Sequence, residues 1–223
     1  MRRAGGRADG RAATAPRPKR RSAGRETQRA LAERAAKILA RLKAAYPDAD
    51  CALEHADAWQ LLVATILSAQ CTDVRVNLVT PALFEAYPGP AAMAKGRQAD
   101  IEAIIRSTGF FRNKAKNLIA MASALEAGHG AKVPRTMAEL HALPGVGRKT
   151  ANVVLGNAYG INEGITVDTH VARITRLLRL TRHEDPVKIE QDLMELIPRE
   201  DWTLVSHLLI SHGRAVCIAR RPR

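Results

Sequence analysis

The chain first becomes periodic at Glu26. Leu31, Ala35, Ile38, Leu39 and Leu42 recur at three- and four-residue steps and Pro47 follows the run, so a helix is predicted there. Asp57, with Gln60 three residues on, has the form of a capping box opening an apolar helix through Trp59, Leu62, Val63, Ile66 and Leu67. The same spacing predicts further helices over roughly 72–86, 97–106, 111–127, 136–142, 148–158, 168–179, 186–196 and 202–215. Pro and Gly punctuate the gaps at Pro88-Gly89-Pro90, Gly109, Gly128, Pro144-Gly145, Gly160, Gly164, Pro186 and Pro198. The β-patterned stretch Ile165-Thr166-Val167 is too short for a sheet. The expected fold class is all-α.

Composition agrees. Hydrophobic residues make up 46% and aromatics only 4%, with Ala and Leu supplying most of the apolar mass, which favours packed helices over a β-sandwich. At about 150 residues per domain, 223 residues allow one or two domains. No run approaches the roughly 18 apolar residues of a membrane span. Cys51, Cys71 and Cys217 lie far apart without a Cys-x-x-Cys pair. That excludes a disulfide framework and fits a reducing, intracellular setting.

Charge adds more. Lys and Arg total 35 against 22 acids, a net +13, and the pI is near 10.4. A pI above about 9 is a common footprint of nucleic-acid binding, although an anionic membrane would also attract it. Residues 1–25 hold nine basic residues and one acid, Asp9, with no Leu, Ile, Val or Phe. This segment is expected to be a disordered basic tail, either a solubilising arm or a non-specific phosphate-binding arm. It carries +8, leaving +5 for the rest. No apolar core follows its arginines, so it does not read as a signal peptide, and it lacks the apolar stripe of a transit peptide.

The densest signal is Leu143-Pro144-Gly145-Val146-Gly147-Arg148-Lys149-Thr150-Ala151. A short helix ends here, two glycines turn the chain, and a second helix starts near Arg148. Glycines let backbone N–H groups approach a phosphate, and a helix N-terminus adds partial positive charge. Lys149-Thr150 mimics the end of a nucleotide-binding P-loop. However, Arg148 and Leu143 stand where that motif needs Gly, and a helix precedes the loop where the motif needs a strand. What remains is an ordinary αα-hairpin turn or a helix-hairpin-helix element that grips a DNA backbone.

The hairpin, together with Val167-Asp168-Thr169-His170-Val171 and Leu67-Ser68-Ala69-Gln70-Cys71-Thr72-Asp73, resembles the endonuclease III family of base-excision DNA glycosylases over about residues 30–223. The resemblance implies two helical lobes with duplex DNA in the cleft, one of residues 51–161 and one joining 26–50 to 162–223. It implies a bifunctional glycosylase and abasic-site lyase that removes oxidised pyrimidines and acts as a monomer without a membrane partner. Such an enzyme is expected in the cytoplasm with the nucleoid if bacterial, and in the nucleus or mitochondrion if eukaryotic. Two rivals remain: a non-catalytic helix-hairpin-helix DNA-binding module, and a related glycosylase for adenine mispairs, a branch lacking the lysine nucleophile.

Residue by residue, the resemblance places Lys149 at the Schiff-base nucleophile that attacks the sugar C1′. The chemistry is demanding, because an ordinary lysine of pKa about 10.4 is almost wholly protonated at pH 7. Desolvation and a nearby cation, with Arg148 the local candidate, are expected to free the amine. By chemistry alone a phosphate-gripping lysine is equally acceptable. Asp168 reads by default as a helix N-cap; the resemblance makes it the essential carboxylate, stabilising the cationic sugar and moving protons. His170 is expected to support it by hydrogen bonding. Gln70 reads as a polar residue ending a helix, and by resemblance as a wedge filling the gap of a flipped nucleotide. Phe110 reads as core, and by resemblance as a wedge in the opposite strand. Gly145, Val146, Gly147 and Arg148 would meet the DNA backbone.

The resemblance also implies a [4Fe–4S] cluster held by four cysteines. Cys217 falls at the first ligand, and no further cysteine follows it in the sequence. The sequence as it stands is expected not to build that cluster, whether because the protein lacks it or because the chain is truncated.

Overall fold

The computed structural model describes residues 26–220, and every regular element among them is helical. The basic tail, residues 1–25, lies outside the described residues. In chain order the helices are α1 (Gln28–Ala45), α2 (Ala58–Leu67), α3 (Asp73–Ala86), α4 (Pro90–Ala94), α5 (Gln98–Ile105), α6 (Phe111–His129), α7 (Met137–Ala142), α8 (Arg148–Tyr159), α9 (Thr169–Leu177), α10 (Pro186–Leu196) and α11 (Trp202–Ala215).

Local signals explain most starts. Thr27, Asp57, Thr72, Thr136, Asp168 and Asp185 each accept a first-turn N–H with a side-chain oxygen. The box at α2 closes one residue early: Asp57 Oδ1 accepts from Gln60 N at 2.8 Å, but Gln60 Oε1 accepts from Ala56 N at 2.9 Å. Three breaks differ from expectation. The Pro88-Gly89-Pro90 gap starts α4, with Pro90 in the first turn and Met93 fully buried; five residues are too few to reveal a period. Gly128 lies inside α6, which ends at the left-handed Gly130. Finally α9 stops at Leu177, and Arg179 adopts φ 54.

The buried apolar side chains form two clusters. The first gathers Leu53 through Leu155 around α2, a helix in which eight of ten residues are buried. The second gathers Ala35, Leu39 and Leu42 of α1 with Ile165 through Leu209. α8 and α11 carry the approach between the clusters. At Gly156 an added Cβ would stand 2.2 Å from Thr203 Oγ1. A cavity of about 130 Å³ opens beside that contact.

Candidate active site

The hairpin between α7 and α8 is pinned from below. Leu143 and Val146 are buried in the first cluster, and Val146 N donates to Leu143 O at 3.1 Å. Pro144 followed by Gly145 at φ +77 is the order of a type II turn. A side chain at Gly145 would also meet Asn117, with Cβ at 3.0 Å. Gly145 and Gly147 are thereby turned outward and exposed. Gly147 caps α8 without a side-chain bond, leaving the first N–H groups of α8 open to an anion. Val146, expected to meet DNA, gives its side chain to the core, so only its backbone is available there.

Lys149 sits in the first turn of α8 and is exposed. Asp168 caps α9, its Oδ1 accepting from Val171 N at 2.8 Å. Nineteen positions apart in sequence, the two side chains line the same cavity. Its walls also bring Ser68, Asn157, His207 and Arg214. His207 Nε2 meets Asn157 Oδ1 at 2.7 Å, an acceptor oriented by the bond from Asn157 Nδ2 to Val153 O, so Nε2 carries the hydrogen. Burial pushes the pKa of His207 down and favours the neutral ring.

Arg148 departs from expectation. Its guanidinium grips Glu190 of α10 with two bonds, Nε to Oε2 at 2.8 Å and Nη2 to Oε1 at 3.0 Å. Glu190 is buried and also accepts from Asn152 Nδ2 at 2.9 Å. The bonded carboxylate raises the pKa of Arg148. With its charge paired to Glu190, Arg148 is not the free cation expected beside Lys149, while its side chain stays 41% exposed. It ties the start of α8 to the second cluster. Gly164 leaves room for this group, since a Cβ there would stand 2.0 Å from Glu190 Oε1.

His170 also differs. Its side chain makes no hydrogen bond among the described residues; its Nδ1 is buried and unpaired, and a Cβ at Gly213 would stand 2.5 Å from it. Gln70 does not end a helix: α2 ends at Leu67, and Gln70 lies in the following turn, exposed, at φ 54. Phe110 is not core: it is 63% exposed and left-handed at φ 48.

Two polar anchors escape a reading by period alone. Lys114 and Glu190 each interrupt a buried helix face, Lys114 between Phe111 and Leu118, and Glu190 beside Ile189 and Leu193. A charge inside an apolar period is the signal that could have found them.

The three cysteines are unpaired. Cys217 Sγ accepts from Arg173 Nη1 at 3.3 Å, and Cys51 and Cys71 pack against the first cluster. Among the described residues no three His, Cys, Asp or Glu side chains converge on one point. The residues described do not fit a four-thiolate cluster, and no chemistry here passes through one.

A family model described as "HhH-GPD superfamily base excision DNA repair protein" matches residues 63–199. An endonuclease III of Synechocystis sp. is 56% identical over 190 residues, which is 85% of this chain and 87% of the relative. The fold matches an endonuclease III in a non-covalent complex with DNA at a TM-score of 0.83 and 41% identity, over 86% of this chain and 90% of that one. A trapped covalent intermediate of endonuclease III with DNA matches equally well, with the same TM-score, identity and coverage.

Proposed function

The chain belongs to the endonuclease III family of the HhH-GPD superfamily, and from that premise we propose that it is a bifunctional DNA glycosylase and abasic-site lyase working through Lys149 and Asp168 on oxidised pyrimidines in duplex DNA. The observation that carries this reading is the shared cavity. An amine at one helix start and a carboxylate at another, on helices packed into different apolar clusters, line one small space.

The reaction follows from those two groups. The stacked duplex hides C1′, so the lesion must leave the helix, and a damaged base costs less to extrude. Asp168 stabilises positive charge on the sugar as the C1′–N bond breaks and its electron pair leaves with the base. The lone pair of Lys149 Nζ bonds to C1′, a proton from that nitrogen passes to the departing base, the C1′–O4′ bond breaks with O4′ taking the proton held by Asp168, and a protonated Schiff base forms. Loss of a proton from C2′ then expels the 3′ phosphate by β-elimination. Water hydrolyses the imine and returns the amine. Asp168, lining the same cavity, would take a proton from the Lys149 ammonium before attack and pass it on as the sugar ring opens.

Gly145, Gly147 and the open N–H groups of α8 would hold the backbone, with Gln70 and Phe110 as wedges. The exposure of both, at left-handed backbone positions, supports this. The two apolar clusters support a division into lobes 51–161 and 26–50 with 162–223. No described helix is long and apolar enough to cross a membrane.

Borohydride reduction of the imine is the test. The wild-type chain is expected to form a stable adduct with DNA carrying an oxidised pyrimidine, and Lys149→Ala to form none. Full trapping by Lys149→Ala removes that residue from the mechanism. Binding without adduct or strand nicking by the wild type leaves only a DNA-binding module.

A further inference from the structure

Lys114 is the one buried Lys or Arg among the described residues, 5% exposed, and it pairs with no carboxylate among them. It stands in the first turn of α6, where the helix dipole disfavours a cation. Burial lowers its pKa, so the fold holds this ammonium against a penalty. Its bonds account for its being there. Nζ donates to Leu67 O and to Thr108 O, each at 2.8 Å. The first is the last carbonyl of α2, left without an intrahelical partner. The second closes the short 3₁₀ turn Arg106–Thr108. Lys114 N also donates to Phe110 O at 3.1 Å.

These carbonyls lie at the roots of two projections. Leu67 is three residues before Gln70, and Thr108 is two before Phe110. Both tips are exposed non-glycine residues in the left-handed region. One nitrogen touching both roots keeps the two oxygens within twice the bond length of each other. We propose that Lys114 is a positioning residue for nucleotide extrusion, an ammonium strap that fixes the spacing of the Gln70 and Phe110 tips so that they enter the duplex together. This rests on the reading of those tips as wedges.

The test compares a substrate that must be opened with one that is already open. The full chain is assayed in single turnover on a duplex holding one thymine glycol, and on a single strand holding one abasic site. Lys114→Met is expected to slow base removal from the duplex by at least about tenfold, with single-strand elimination held within about twofold. Lys114→Arg, which keeps the charge, restores part of the loss. Added to Gln70→Ala with Phe110→Ala, Lys114→Met is expected to cost nothing further. Equal loss on both substrates, no loss on the duplex, or a full further loss in that background overturns the strap. If no Lys114 variant folds, the cycle of Gln70→Ala and Phe110→Ala is read in the Lys114 chain: coupled effects support the strap and independent effects overturn it. If neither tip variant slows the duplex reaction, the wedge reading itself falls, and the strap falls with it. If the tips matter and Lys114→Met does not, the strap alone falls.

Discussion

Arg148 and Glu190 share two bonds, but their removal is not equivalent. The guanidinium side chain is 41% exposed and can turn to water, whereas the carboxylate is 6% exposed and cannot. Arg148→Ala therefore strands a buried charge on Asn152 alone, and about 2–4 kcal/mol of stability is expected to go. Glu190→Gln keeps a hydrogen-bonding side chain of the same shape, so its cost is expected below about 1.5 kcal/mol. Denaturant melts of the two variants check the order, and equal losses contradict it. The pair also marks where reading residues one at a time stops working. Lys149 and Asp168 stand out in the sequence because a glycine turn and an extended run mark them. Glu190 stands in an ordinary amphipathic stretch forty-two positions from Arg148, and only the folded chain reveals its partner.

At the level of elements, helix starts serve two purposes. Asp168 both caps α9 and faces the cavity, and the two roles can be separated. Asn caps a helix about as well as Asp, so Asp168→Asn is expected to change stability by only about a few tenths of a kcal/mol. It removes the negative charge proposed to stabilise the sugar cation, and single-turnover base removal is expected to fall at least about a hundredfold. Calorimetry beside a quench assay reads both, and a loss of folding equal to the loss of rate would make Asp168 a cap alone. Helices are legible wherever the apolar period runs for two turns or more, as in α2 and α10. α4 is not, because five residues after Pro-Gly-Pro carry a turn signature and no period. Nor does the periodicity say that Phe110 is pushed into solvent, since its exposure follows from a left-handed backbone at the start of α6.

For the whole molecule, charge is divided unevenly. Residues 1–25 carry +8 of the net +13, while the remainder carries only +5. As a phosphate-binding arm, this segment would add counterion release to DNA binding. A chain lacking residues 1–25 is expected to show a shallower fall of non-specific DNA affinity with salt, by about 0.9 in log–log slope for each phosphate the arm would have neutralised. Its Schiff-base trapping at low salt is expected to be unchanged. An identical slope in both chains assigns the arm to solubility.

The cavity is walled from both apolar clusters, and this has a consequence for the newly made chain. Synthesis delivers the hairpin and its amine well before Asp168 and α11 emerge, and α1 must wait for those last helices to find its own packing partners. Until the circuit closes, a nascent polypeptide would hold the proposed nucleophile without the carboxylate proposed to act with it. If Lys149 and Asp168 act as proposed, competence for strand scission would arrive only with completion of the fold.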